Sequence, residues 1–136
     1  MSVTADTLLL VQLKDYINQH LPDIPLPVPV YYEVHTTAGL QLWLQPLGGT
    51  VRVRQYTDGG YVGQIPFAVY SQISGGQAGL NELDPPLFNL AAFLERTQYN
   101  FGGVVAVQLT STPRPHYRDQ NGVAINQAIY VLEYLG

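Results

Sequence analysis

The side chains that could do chemistry in this 136-residue chain are few and scattered. Its three histidines, His20, His35 and His116, fall at the end of a helical stretch, at the end of a β-rich run and in a proline-rich segment. None of the short spacings that mark a zinc site joins them, so surface histidines are the ordinary reading. The carboxylates Asp6, Asp15, Asp23, Glu33, Asp58, Glu82, Asp84, Glu95, Asp119 and Glu133 are spread along the chain, and several suit caps or turns. General acid–base work needs groups converging on one bond, and nothing in the sequence selects a pair. The glycine pairs beginning at 48, 59, 75 and 102 lack both the Lys-Ser/Thr ending of a phosphate loop and a βαβ setting, and read as turns. With no cysteine there is no disulfide framework, thiolate metal site or thiol nucleophile. The expectation is a protein that is not an enzyme and uses no cofactor or metal.

Two groups of side chains suit recognition instead. The segment Pro113-Arg114-Pro115-His116-Tyr117-Arg118-Asp119 sets Arg114, His116, Tyr117 and Arg118 on a stretch stiffened by two prolines. Arg and Tyr are frequent interface anchors, and a stiff segment loses less entropy on docking. The alternative is an ordinary solvated hairpin loop. In Val51-Arg52-Val53-Arg54 the alternation predicts inward valines and outward Arg52 and Arg54, a strand face that is either simply exposed or turned to a partner.

Composition bounds what such surfaces can meet. Hydrophobic residues make up 46% and charged residues only 12%, about half the usual share, with 10 Tyr. Much of the surface must be uncharged, and interface cores lose charge and gain aromatics. A net charge of -4 with 6 Lys and Arg argues against a general nucleic-acid binder, which needs a basic stripe to displace phosphate counterions. The apolar run from Thr7 to Leu13 is followed at once by Lys14, Asp15 and Asn18, so neither a signal peptide nor a membrane span is expected.

The elements that must position these groups follow from periodicity. Leu9, Leu13, Tyr16, Ile17 and His20 recur at helical spacing, which predicts an amphipathic helix over 6–20 with Asp6 as N-cap and Pro22 as stop. Prolines at 22, 25, 27 and 29 predict an extended connector, with a ligand for a proline-binding groove as the rarer reading. Strands are expected around Tyr31 to Val34, Leu40 to Gln45, Thr50 to Tyr56 and Gln64 to Ser74, the last with Pro66 near its start. Gly75 to Gly79 reads as flexible. Asp84-Pro85-Pro86 predicts a helix capped by Asp84, with Leu87, Leu90, Ala91 and Leu94 as its apolar stripe, ending near Arg96 to Tyr99. Val104 to Thr112 reads as strand and Thr112 to Gly122 as loop. Residues 123–135 suit a helix or a strand, and their Val, Ile and Tyr content after Asn121-Gly122 favours strand. The predicted architecture is a single α+β domain over 1–136, an antiparallel or mixed sheet with two helices packed on one face.

This order resembles the phage minor capsid and tail terminator family of long-tailed bacteriophages. The likeness is carried by the first helix through Asp15-Tyr16-Ile17-Asn18, the Leu21-Pro22 break, the β-meander, the strand around Phe67 to Ile73, the helix from Leu87 to Arg96 and two closing strands ending at Tyr134. It spans nearly the whole chain. It implies a structural virion protein at the head–tail junction, a homo-oligomeric ring, typically a hexamer built from subunits that can be monomeric before assembly, that caps the tail tube protein and meets head–tail connector proteins. It implies no sequence-specific nucleic acid, no membrane, and host cytoplasm before assembly. A different head–tail connector or assembly protein, or a small protein-binding module using an exposed sheet edge, are the alternatives.

Overall fold

Apolar residues at helical spacing near the start and middle of the chain, and long β-branched and aromatic runs elsewhere, fold into two layers. The computed structural model describes residues 5–21, 23–33, 40–48, 51–55, 60–73, 83–118, 120 and 122–135, the side chains at 5–7 and 51–55 excepted. The order is α1 (Ala5–Gln19), β1 (Val30–Tyr32), β2 (Gln41–Pro46), β3 (Val51–Gln55), β4 (Tyr61–Ile73), α2 (Asp84–Arg96), β5 (Val104–Arg118) and β6 (Ala124–Leu135). The strands form one mixed sheet in the order β1-β2-β4-β6-β5, with β3 also paired to β4. Among the described residues only β1 and β2 pair parallel. Among the described residues no helix is long and apolar enough to cross a membrane.

Both helices cover the same face of the sheet, as the apolar stripes predict. Leu10, Leu13 and Ile17 of α1 and Leu87, Leu90 and Leu94 of α2 are buried in one cluster with Leu42, Leu44, Ile65, Phe67, Val69, Tyr130 and Leu132 from the strands. Each buried Leu or Ile of this kind contributes about 1.5–3 kcal/mol relative to exposure. Phe67 and Tyr130 face each other across β4 and β6 with rings 5.3 Å apart and nearly parallel. The Tyr130 hydroxyl donates to the Leu87 carbonyl, tying sheet to α2. The chain crosses from α2 to β5 through Gly102 and Gly103, both with positive φ. A Cβ at Gly102 would meet the tip of the Leu9 side chain of α1, which would have to shift, and the positive φ there favours glycine in any case.

The proline-rich connector is held at its end by a side chain that imitates a strand. Asn18 donates to the Val30 carbonyl at 2.7 Å and accepts from the Val30 amide at 2.9 Å, so both backbone groups of the first β1 residue are satisfied by α1. Ile24 of the connector is fully buried beneath it.

Four expectations are corrected. First, β4 begins at Tyr61, so Pro66 lies well inside a strand that is flanked on both sides. It is tolerated because β2 and β3 share the other side of β4, β2 against 67–72 and β3 against 61–64. The Pro66 carbonyl accepts from the Leu47 amide in the turn out of β2, and its missing N–H falls in that junction. Second, Thr112 to Arg118 is strand and not loop, because β5 continues to Arg118. It is the last strand of the sheet and carries register shifts at Ser111/Arg114 and Pro115/Tyr117, the edge and bulge positions where Pro113 and Pro115 cost little. Third, Asp84 does not cap α2: Leu83 occupies that position without a side-chain cap, and the Asp84 carboxylate is engaged elsewhere. Fourth, α1 begins at Ala5, so Asp6 falls within it and does not precede it. Within residues 123–135 the strand reading holds, as β6 (Ala124–Leu135). Pro22, His35, Asp58, the Gly75 to Gly79 cluster and Asp119 lie outside the described residues.

Two predictions follow from this packing. Asn18→Ala removes both bonds to Val30 and should lower unfolding stability by about 1–3 kcal/mol, read from denaturant midpoints at unchanged slope. The phenols of Tyr99 and Tyr130 are held well above the usual tyrosine range, chiefly by burial and secondarily by Tyr16 and Glu95 respectively. Above pH of about 10 the unfolded chain loses protons that the folded chain keeps, so stability should be complete below that pH and fall as pH rises through it. Denaturant midpoints measured between pH 8 and 11 check this, and Tyr130→Phe should flatten the decline.

Candidate functional site

The face of the sheet opposite the helices brings together residues far apart in sequence. Leu42 and Leu44 of β2 point to the helices, so period-two alternation sends Trp43 to the other side. Trp43 lies opposite Tyr70 of β4, and their rings stack at 5.1 Å and 18°. Tyr70 lies opposite Gln127 of β6, whose amide donates to the Tyr70 hydroxyl at 3.0 Å. Gln127 lies opposite Arg114 of β5. Tyr31 completes the row on the far side, opposite Trp43. Thus Tyr31, Trp43, Tyr70, Gln127 and Arg114 cross five strands in one line.

The bulged end of β5 adds to this row. The His116 ring sits 5.1 Å from that of Tyr70, reaching past β6. Tyr117 lies opposite Ile125, which packs against the Trp43, Ala68 and Tyr70 cluster. Directly opposed residues share a face, so Arg114 and Tyr117 stand with His116 on the helix-free side. All three are exposed, whereas Trp43 and Tyr70 are buried beneath them. The result is a rigid aromatic floor with a cationic and a phenolic side chain at its β5 border.

Arg118 belongs to a different structure. It lies opposite Ala124, and its guanidinium donates to Asn126 Oδ1 at 2.7 Å and to the Ile125 carbonyl at 3.0 Å. Asn126 Nδ2 in turn donates to the Asp84 carboxylate at the start of α2. A guanidinium can only donate and a carboxylate only accept, so the amide between them has one possible orientation. This relay fastens the end of β5, the start of β6 and the start of α2 together. Arg118 is therefore occupied in holding the strand that presents Arg114, His116 and Tyr117.

Arg52 and Arg54 are apart from this group, on β3. Arg52 lies opposite Gly63 and Arg54 opposite Val62, with a register shift between them, so the simple alternation of Val51-Arg52-Val53-Arg54 is interrupted by a bulge. Their side chains lie outside the described residues.

Trp43, Tyr70, Gln127 and Asn126 escaped sequence reasoning as site residues. The signal for Trp43 was present, since its phase in β2 is opposite to Leu42 and Leu44. The cross-strand partners were not accessible without the register. The Trp43 indole Nε1 is buried and meets no acceptor among the described residues.

Other features carry less chemistry. A cleft of about 260 Å³ lies between α1 and the turn before β5, lined by Gln12, Asp15, Tyr16, Gln19, Asn100 and Phe101. His20 closes the helix behind it, donating from Nδ1 to the Tyr16 carbonyl at 2.8 Å, with its ring packed against Tyr16 and Phe93. Among the described residues no three His, Asp or Glu side chains converge as a metal site. Compared with known proteins, the chain matches no family model and no curated protein.

The unpaired indole makes a clear prediction. Trp43→Phe keeps the stack on Tyr70 and removes a donor without an acceptor, so it should cost less than about 1.5 kcal/mol. Trp43→Ala opens a cavity and should cost about 3–5 kcal/mol. Denaturant unfolding followed by far-ultraviolet circular dichroism separates the two.

Proposed function

We propose that this chain is a structural virion protein, a tail terminator of a long-tailed bacteriophage that forms a ring, caps the tail tube and contributes to the head–tail junction. The observation that carries this reading is the one-sided sheet. Its helix-covered face completes a core, while its other face gathers Arg114, His116 and Tyr117 over a rigid aromatic floor. Aromatic and Arg side chains on a preorganised, weakly charged surface are the composition of a protein interface. The element order, helix, connector, strands, helix and two closing strands, supports the same reading. On this reading the subunit resides in the host cytoplasm before it joins the virion, and weak contacts become stable together once the ring closes.

The test is electron microscopy of the purified chain mixed with polymerised tail-tube protein, alongside its free mass by light scattering. Rings or a cap at one tube end are expected. Bare tubes beside a strictly monomeric protein would move the reading to a connector or a binding module. The relay on Arg118 separates folding from docking: Arg118→Ala should lower stability by about 1.5–3 kcal/mol. Arg114→Ala with Tyr117→Ala should leave the melting midpoint within a few degrees and reduce the fraction of capped tubes several-fold.

A further inference from the structure

We infer that the border of the helix-free face at Arg114 and His116 receives a carboxylate, brought by an Asp or Glu side chain of the protein that docks there. The inference rests on reading this face as a protein interface and names the chemistry of the partner. It begins from the cations of the chain, the 6 Lys and Arg. Lys14 is paired with its neighbour Asp15, and Arg118 is held by Asn126 and the Ile125 carbonyl. Arg96 stands in the last turn of α2, where a positive charge offsets the unpaired helix carbonyls. The side chains of Arg52 and Arg54 lie outside the described residues. Among the described side chains, Arg114 is therefore the cation with no ion pair, no hydrogen bond and no helix end to serve.

The described carboxylates sit away from it, although the chain as a whole carries a net charge of -4. Glu133 shares the helix-free face, but it is about 20 Å farther along β6 than Gln127, the residue opposite Arg114, and it accepts from Gln64. Glu33 follows β1 at the opposite border of the sheet. Asp15 and Glu95 belong to the helices, and Asp84 is engaged by Asn126. Gln127 itself has its amide committed to Tyr70.

The backbone and the rings hold the border ready for a ligand. Arg114 stands between Pro113 and Pro115, whose rings fix φ, so the stretch carrying the guanidinium has little freedom to lose on docking. His116 is the outermost of three rings: Trp43 lies 5.1 Å from Tyr70, and Tyr70 lies 5.1 Å from His116. Both Arg114 and His116 are exposed, and neither ring nitrogen of His116 has a hydrogen-bond partner among the described residues. The guanidinium offers only donors and the imidazole at least one, so whatever fills them must bring acceptors. A carboxylate matches the guanidinium fork with two parallel hydrogen bonds. A phosphate would satisfy the same donors, but a nucleic-acid backbone needs a basic stripe that this acidic chain lacks. An acidic partner is attracted at this border and repelled by the rest of the molecule, which fixes where it docks.

Trp43 is the single tryptophan of the chain and lies beneath Tyr70 and His116, so its fluorescence reports on this border. The full-length protein is titrated with poly-L-glutamate at low ionic strength. A saturable change in Trp43 emission is expected. Arg114→Ala should raise the half-saturating concentration at least tenfold, Arg114→Lys should raise it less, and Arg96→Ala should leave it unchanged, all at the parent melting midpoint. No saturable change, or equal weakening by Arg96→Ala, would overturn the inference. An oligodeoxythymidylate is titrated in parallel, and tighter binding of it than of poly-L-glutamate would assign the border to phosphate and overturn the inference as well. Microscopy of the chain with polymerised tail-tube protein judges the terminator reading separately. Saturation by poly-L-glutamate without rings or caps would keep the carboxylate site and remove the terminator, and caps from a protein indifferent to poly-L-glutamate would do the reverse.

Discussion

The ladder between β4 and β6 is the constraint on which the rest of the molecule depends. It is unbroken from Val62 opposite Leu135 to Ile73 opposite Ala124. One phase of both strands, with Ile65, Phe67, Val69, Ala128, Tyr130 and Leu132, is committed to the helices. A slip of a single residue would exchange that set for Gln64, Pro66, Gln127 and Glu133, so the register is fixed by burial itself. Once it is fixed, β2 and β3 must divide the other side of β4 between them, and β5 must follow β6 to the end of the sheet.

That division explains how the sheet accommodates features that strands usually reject. Pro66 sits where β2 gives way to β3, and Pro113 and Pro115 sit on the bulged outer half of β5. Bulges increase local twist, and the His116 ring on this half reaches Tyr70, which itself stacks on Trp43. Holding a bulged edge strand in place requires more than one ladder. The relay from Asp84 through Asn126 to Arg118 supplies a second attachment and joins the strand to the first turn of α2. The acidic residue at that helix end is favourable for the helix as well.

Position along β5 therefore separates two roles. Its first half is uncharged and adds Val104 and Val107 to the core, and its second half presents side chains. A chain with so few charges relies on shape, aromatic area and backbone hydrogen bonds in both roles. The Asn18 bonds to Val30 have the same character, since they set the far border of the sheet through amide groups and not through ions.

Much of the fold was legible in local patterns. The stripes Leu87, Leu90, Ala91, Leu94 and Leu9, Leu13, Ile17 identified both helices and their buried faces, and β-branched and aromatic runs identified the strands, because helix and strand periods are properties of neighbouring residues. The absence of cysteine and the scarcity of charge were likewise complete in the sequence. Only the tertiary structure decided the rest. It made the proline-rich segment a strand, because an edge with bulges removes the penalty that proline carries in a ladder. It turned Asp84 from a cap to a partner of Asn126, and placed Arg118 on the opposite face from Arg114 and Tyr117. These outcomes depend on which residues lie across the sheet from one another, and that pairing is a long-range choice made by burial of the whole β4 and β6 ladder, which no local spacing encodes.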